Sequence, residues 1–374
     1  MKKVLILYKF LPQYRIEFFD NLRTELLKKN INLTLIYGKL KNRNSSKADE
    51  RDLEWATYRE NKIIKLGGVE LIWQPCMDIA SKYDLIVVEQ ANSLLVNYIL
   101  LLRSKFTSLK FAFWGHGANL QDDLNSPRNR FKYFFVNKVD YWFAYTEGVK
   151  KFLLAKKVKD ADISVLNNSI DTKTLSQQYE SISKSQVDDI KVDLGIDSKN
   201  IAIYCGGIYK EKQIDFLLEA SKKIKEEVND FHLLVLGSGP DSYKVTEESK
   251  KSNFIHYIGA KFGKERVPYF KMSSLFLMPG LVGLAILDSF ATQTPMVTTD
   301  YPFHSPEIEY LSNNINGLMT ENNLNSFSSE VIKLYKNPIE IDKLKLGCKE
   351  SSKLYSTENM VKNFVKGVEN CLAK

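Results

Sequence analysis

Short runs of β-branched and aromatic residues alternate along most of this 374-residue chain with stretches whose apolar positions recur at helical spacing. Residues 4–8 predict a buried strand, and residues 18–29 a helix with Phe19, Leu22 and Leu26 on one face. Further strands are expected at 31–37, 85–88, 111–114, 141–145 and 163–166, with helices near 94–102, 131–138 and 149–156. A polar interval over 171–199, rich in Ser, Gln, Lys and Asp, reads as an interdomain connection with a lead-in helix. The alternation then restarts, with strands at 201–205, 232–236, 255–258, 275–278 and 296–298 and helices at 215–227, 265–272 and 285–291. Roughly the last forty residues read as helical, with Val361, Phe364 and Val368 spaced for one buried face.

A βαβα order implies parallel sheets covered by helices on both faces. The expected fold is therefore α/β, two doubly wound Rossmann-like domains facing across a cleft. The first spans 1–170, the second 200–355, and a terminal helix at 356–374 is free to cross back to the first. Ligands of such sheets lie beyond the carboxyl ends of the strands.

Composition narrows the class. Hydrophobic residues at 44% and charged residues at 26% exclude a disordered chain, a collagen and a disulfide scaffold. Cys76, Cys205, Cys348 and Cys371 are scattered and form no CxxC pair, which reads as free thiols in a cytosolic protein. No apolar run reaches the roughly 18 residues that span a bilayer, and Lys2-Lys3 before a short strand is no secretion signal. The net charge of +8 is uneven: residues 1–180 hold 29 Lys and Arg against 20 Asp and Glu, and the remainder 24 against 25. The first half is thus expected to meet something anionic.

Four segments in the second half follow predicted strands and carry small residues. They are Cys205-Gly206-Gly207-Ile208 with Lys212 beyond it, Gly237-Ser238-Gly239-Pro240, Gly259-Ala260, and Gly280-Leu281-Val282-Gly283-Leu284 leading to Asp288. Glycines at a strand-to-helix turn let backbone N–H groups approach an anion, and a lysine adds a full charge. The same features also suit an ordinary tight turn with a solvated lysine. Asp288 can accept from ribose hydroxyls or simply favour the start of its helix.

Together these segments resemble the donor-binding half of family 4 glycosyltransferases, retaining enzymes of the two-Rossmann-domain GT-B type. Gly206-Gly207-Ile208 occupies the family's Gly-Arg-Leu, Lys212 its lysine, and Gly237-Ser238-Gly239-Pro240 its Gly-x-Gly-Pro turn. Residues 280–289 occupy its Glu-Gly-Phe-Gly-Leu-x-x-x-Glu-Ala, so Gly207 stands for arginine, Gly280 for the first glutamate and Asp288 for the second. Upstream, Asn167-Asn168-Ser169-Ile170-Asp171 resembles the family's Pro-Asn-Gly-Ile-Asp turn; downstream, His304-Ser305-Pro306-Glu307 continues the match.

The resemblance implies a donor site at Gly206, Gly207, Lys212, Gly237, Ser238, Gly259, Ala260, residues 280–284 and Asp288. It also implies that His116, in Trp114-Gly115-His116-Gly117-Ala118-Asn119, lies beside the donor sugar and acceptor, although a lone histidine near aromatics is also a common core residue. Tyr14, Arg15 and Asn119 would face the acceptor, Arg15 holding an acidic group unless it is a solvated cap. Catalysis would fall to His116 and Lys212 with no metal and no cofactor, the leaving diphosphate helping to take the acceptor's proton. Asp122-Asp123 sits in a polar loop and is not read as a metal pair.

The activity so implied is transfer of a hexose or N-acetylhexosamine, from a UDP-sugar by preference, to a glycan or lipid-linked glycan in surface polysaccharide biosynthesis. GDP-mannose transfer, a non-catalytic sugar-nucleotide-binding protein and a 2-epimerase are the alternatives. Residues 128–138 interleave Arg and Lys with aromatics. They read either as an anionic-membrane patch or, preferred for Phe131, Phe134 and Phe135, as a buried stripe under solvated charges. A peripheral position on the inner face of the cytoplasmic membrane follows, and no motif suggests nucleic acid.

Overall fold

A computed structural model describes residues 1–39, 52–118 and 126–374. The chain divides into two units, Met1–Ile170 with Thr357–Lys374, and Asp171–Ser356.

The first unit is built on β1 (Lys2–Tyr8), β2 (Ile31–Tyr37), β3 (Thr57–Tyr58), β4 (Lys62–Leu66), β5 (Val69–Trp73), β6 (Leu85–Glu89), β7 (Lys110–Gly115), β8 (Tyr141–Ala144) and β9 (Ile163–Val165). Seven of these form a sheet in the order β3-β2-β1-β6-β7-β8-β9, every pairing parallel. Its helices are α1 (Ile16–Lys28), α2 (Leu95–Ser104), α3 (Pro127–Val136) and α4 (Glu147–Ala155). Alternate residues of each strand enter opposite cores. Val4, Ile6, Val87, Ala112, Trp114 and Phe143 pack under α1 and the terminal helix, whereas Leu5, Leu7, Ile86, Val88, Phe113 and Trp142 pack under α2 to α4.

The hairpin β4–β5 was not foreseen. Its two strands join through Gly67-Gly68, both at positive φ (54° and 80°), a pair that suits the two-residue turn of a hairpin.

The second unit opens with α5 (Thr172–Ser181) and α6 (Lys184–Asp193). These occupy the interval read as a connection; Ser183 and Gln186 form a capping box that starts α6 inside the polar run. The sheet follows, with β10 (Ile201–Cys205), β11 (His232–Leu236), β12 (Ile255–Gly259), β13 (Leu275–Leu277), β14 (Met296–Thr299) and β15 (Gly317–Thr320). Its order is β12-β11-β10-β13-β14-β15, again all parallel. Helices α7 (Ile214–Glu227), α8 (Ser242–Lys251), α9 (Val267–Met272), α10 (Ala285–Ala291), α11 (Leu324–Lys336) and α12 (Pro338–Leu354) complete it.

The last helix, α13 (Thr357–Leu372), belongs to the first unit. Phe364 stacks on Phe143 with ring centroids 4.2 Å apart, and Gly367 permits the approach, since a Cβ there would lie 2.6 Å from the Phe143 ring. In both sheets the strand order reverses beside the first strand, between β1 and β6 and between β10 and β13. Such a reversal opens a crevice at the carboxyl ends, so each unit offers one place for a ligand.

One sequence expectation is reversed. Phe131 and Phe134 do not form a buried stripe; they are 50% and 66% exposed. The sheet-facing side of α3 is set by Asn129 and Val136, seven residues apart and fully buried, and Val136 O accepts from Trp142 Nε1 at 2.7 Å. Phasing the helix on those positions turns two of the aromatics outward.

Candidate functional site

In the second unit β10 ends at Cys205 and the chain turns through Gly206 and Gly207. Gly206 N donates to Leu236 O (3.0 Å) and Ile208 N to Ser238 O (3.0 Å), zipping this turn to the loop after β11. A Cβ on Gly237 would fall 1.8 Å from Gly206 O, and one on Gly239 2.1 Å from Ile208 O. These two glycines are thus required by the neighbouring backbone. Gly207 carries no side chain to shield its carbonyl, which accepts from Tyr204 Oη at 2.6 Å. Ser238 and Ala260 are exposed, and Gly259 turns the chain at φ 79° after β12.

The turn Lys210–Lys212 closes on Gln213 in the left-handed region (φ 54°) and aims Lys212 across the exit of β13. Its ammonium, on a residue 7% exposed, donates to Leu281 O at 2.5 Å and lies 3.9 Å from Met278 Sδ. No carboxylate forms an ion pair with it among the described residues, and burial pushes its pKa down to about 8. A cation left in this state is under-neutralised, and an anion would restore its charge.

The loop 279–284 is fixed from both sides. Leu281 N donates to Glu211 O (2.8 Å), and Val282 N to His304 Nδ1 (2.9 Å). His304 Nε2 lies 2.8 Å from Thr299 O, so the buried imidazole is neutral with its proton on Nε2. Of the N–H groups in the expected donor segment, those of Leu281 and Val282 are therefore spent internally, and those of Gly283 and Leu284 have no intramolecular partner among the described residues. Asp288, in that helix, is engaged by Arg266 through two hydrogen bonds of 2.6 and 2.7 Å. Each carboxylate oxygen retains a lone pair, but the side chain is held by a residue that sequence reading passed over.

In the first unit His116 follows β7. Its ring meets the edge of Tyr145 at 4.3 Å, its Nδ1 is buried without a hydrogen bond, and Gln90 Nε2 donates to Gly117 O (3.3 Å) beside it. Burial, with the charges of Lys132 and Arg15, pushes the imidazole down to about 3, so it is neutral across the physiological range. Gly117 needs its freedom: φ is 71° and a Cβ would lie 2.9 Å from the Phe152 ring.

Arg15 is neither a solvated cap nor an open acceptor group. It is 1% exposed, donates to Ser169 O (3.0 Å) and to Asn168 Oδ1, lies 3.3 Å from Met360 Sδ and covers the Trp114 ring at 5.5 Å. A guanidinium is less strongly hydrated than an ammonium and tolerates such a place, where it ties the first β–α loop to residues 168–169 and α13. Tyr14 is 37% exposed and stacks on that guanidinium at 5.0 Å. Asn119 and Asp122-Asp123 lie outside the described residues.

Glu89 was missed. It ends β6 at the strand-order reversal, and its Oε2 accepts from Lys9 N at 2.5 Å. Burial outweighs that bond and the charges of Lys9 and Arg15, pushing the carboxyl up to about 7. A folded-state value of about 7 against 4.5 means that its stabilising contribution is full below pH 4.5 and is lost as pH rises through 7, roughly 3 kcal/mol in all. Glu89→Gln, which mimics the protonated form, should therefore match wild type in urea near pH 5 and exceed it near pH 8. Parallel curves would show an ordinary carboxylate. Nothing local in the sequence marks Glu89, because the partner that places it is 80 residues away.

Residues 199–337 match the family described as Glycosyl transferases group 1. Over 212 residues the chain is 24% identical to the alpha-monoglucosyldiacylglycerol synthase of Acholeplasma laidlawii, an alignment covering 54% of this chain and 52% of that protein. The chain spans about half the length of the curated relatives it matches, 52% and 62%. Among solved structures, a glycosyltransferase from Rickettsia africae superposes with a TM-score of 0.72 at 17% identity, covering 99% of this chain and 98% of that one. HepE of Anabaena in complex with UDP gives 0.71 at 11%, covering 99% and 100%. The family match thus falls on the second unit, and the chain as a whole has the GT-B fold of these structures.

Proposed function

We propose that this chain is a retaining, family 4-type glycosyltransferase that moves a hexose or N-acetylhexosamine from a UDP-sugar to a glycan or lipid-linked glycan acceptor. One observation carries the reading: the buried Lys212 ammonium at the carboxyl edge of β10 and β13, which has no carboxylate partner among the described residues and stands in a unit where the N–H groups of Gly283 and Leu284 have no partner among them either. A diphosphate supplies the charge this place lacks, and the same groups stabilise the charge that grows on it as the glycosidic bond breaks. As the bond from the anomeric carbon to the diphosphate breaks, the acceptor oxygen bonds that carbon on the same face and gives its proton to the leaving diphosphate, which retains configuration. Lys212 and backbone N–H groups perform the neutralisation, so the proposed reaction needs no metal. In the first unit neutral His116, with its unpaired Nδ1, is suited to hydrogen-bond a sugar or acceptor hydroxyl.

The UDP complex of HepE supports the choice of base, and the lipid product named for the Acholeplasma relative supports a lipid-linked acceptor. A lipid-linked acceptor and the basic first half support work in surface polysaccharide synthesis at the inner face of the cytoplasmic membrane. No helix among the described residues is long and apolar enough to cross a membrane, so peripheral attachment is the form proposed.

The test is thermal unfolding against UDP, GDP, dTDP and CMP, with and without EDTA. UDP is expected to raise the midpoint in both conditions, by mass action. Lys212→Met is expected to abolish the rise. Near pH 8 UDP binding should also take up protons, because the diphosphate raises a lysine pKa that stands at about 8. Calorimetry in two buffers of different ionisation enthalpy reads that uptake. A shift with GDP alone would change the donor, and no shift with any nucleotide at millimolar concentration would leave the non-catalytic reading.

A further inference from the structure

Helix α2 buries Val96, Asn97, Leu100 and Leu101 and turns its other side outward. On that side Ile99 is 43% exposed, Leu102 62%, and Phe106, just past the helix, 81%. Their spacing of three and four makes one stripe. A second stripe runs along α3, where Phe131 and Phe134 project. Tyr98 joins the two: its ring lies 5.8 Å from that of Phe131 and 5.0 Å from that of Phe135, and Phe135 in turn meets Phe134 at 5.0 Å. Asn92 Nδ2 donates to Arg128 O at 2.9 Å and pins the start of α3 to the loop before α2. The result is a continuous apolar ridge of large side chains, a surface that water-soluble monomers seldom leave open.

The described segments that build the ridge carry charge of one sign. Residues 94–118 and 126–138 contain seven Lys and Arg and no Asp or Glu. Of these, Lys105, Arg128, Arg130 and Lys138 are exposed and enter no ion pair among the described residues, and Lys138 Nζ stands 5.9 Å over the Phe134 ring.

The geometry points to the α2–α3 ridge as the surface by which the chain docks on an anionic lipid bilayer, Phe106, Phe131 and Phe134 entering the headgroup boundary while the rim of Arg and Lys meets lipid phosphates. A ridge of protruding rings suits insertion into a fluid interface, and the excess of Lys and Arg on the two helices suits an anionic partner. The inference rests on the peripheral attachment proposed above and gives it an address.

Co-sedimentation of the full chain with phosphatidylcholine vesicles, with and without about 30% phosphatidylglycerol, tests it. Wild type is expected to bind the anionic vesicles at least tenfold more tightly than the neutral ones and to weaken several-fold as salt is raised to about 0.5 M. The triple variant Phe106→Ser, Phe131→Ser, Phe134→Ser should lose at least tenfold of that binding while keeping its circular dichroism and its unfolding midpoint. Undiminished binding by the variant overturns the proposal, as does a wild type that ignores anionic vesicles. Self-association of wild type without vesicles, abolished in the variant, would assign the ridge to a second copy instead. Vesicle binding is read without nucleotide, so failure of the donor reading shows separately, as the absence of a UDP shift.

Discussion

Gly280→Glu, which installs the residue of the family pattern, is expected to lose nucleotide binding and stability rather than gain a sugar contact. A Cβ at this position would lie 2.4 Å from Glu211 O, 2.5 Å from Lys212 C and 2.7 Å from Lys212 O. All three atoms are backbone, and they belong to the turn that carries the Lys212 ammonium. Leu281 N also bonds Glu211 O at 2.8 Å, so the loop and the turn form one seam that cannot open without losing that bond. Overpacking a well-filled site costs about 1–3 kcal/mol, and more where backbone must move. If Lys212 holds a diphosphate as proposed, its displacement should weaken UDP binding about a hundredfold, or ~2.7 kcal/mol. Gly283→Ala is the control, since its Cβ would meet the movable Ser305 Oγ at 3.3 Å and should cost little. Thermal midpoints and UDP titrations of both variants decide the matter. A Gly280→Glu protein with wild-type affinity would show that the seam yields and that the position is open to a side chain.

The same seam explains what could be read from the sequence. Buried strands such as β1 and β10 announce themselves as unbroken apolar runs, and the glycines and Lys212 follow β10 within a few residues. A local signal therefore placed them at a sheet's carboxyl edge. Contacts between segments distant in sequence left no such trace. Arg15 reads like any loop arginine until Asn168, Ser169 and Met360 close around it. Glu89 reads like the end of a strand until Lys9 N meets it. The outward turn of Phe131 and Phe134 was hidden for a related reason. A ten-residue helix with aromatics at 131, 134 and 135 has more than one plausible buried face, and burial of Asn129, a polar side chain, selected the unexpected one. The glycines were located correctly, but what each one accommodates was not legible. At Gly237 and Gly239 it is another stretch of backbone, not a ligand atom.

Arg266→Met is expected to destabilise the second unit by about 3–5 kcal/mol, because it strands the Asp288 carboxylate in a site where the side chain keeps only 10% of its exposure. The surroundings offer no substitute. The buried Cys205 thiol beside the pair has its pKa pushed up to about 11, chiefly by burial, and so carries no charge to help. Asp288→Leu should cost a similar amount by stranding the guanidinium. The double variant removes both charges, and replacing a buried pair by apolar side chains of similar size is often neutral. Its stability should therefore return to within about 1 kcal/mol of wild type, a coupling read directly from a double-mutant cycle. Nucleotide binding separates the two roles of Asp288. If the carboxylate also accepts from the ribose through its remaining lone pairs, the refolded double variant still binds UDP about tenfold more weakly, ~1.4 kcal/mol. The expected result is this split, stability regained and affinity not. Recovery of both would reduce Asp288 to a counterion for Arg266 and leave the donor's ribose to other groups.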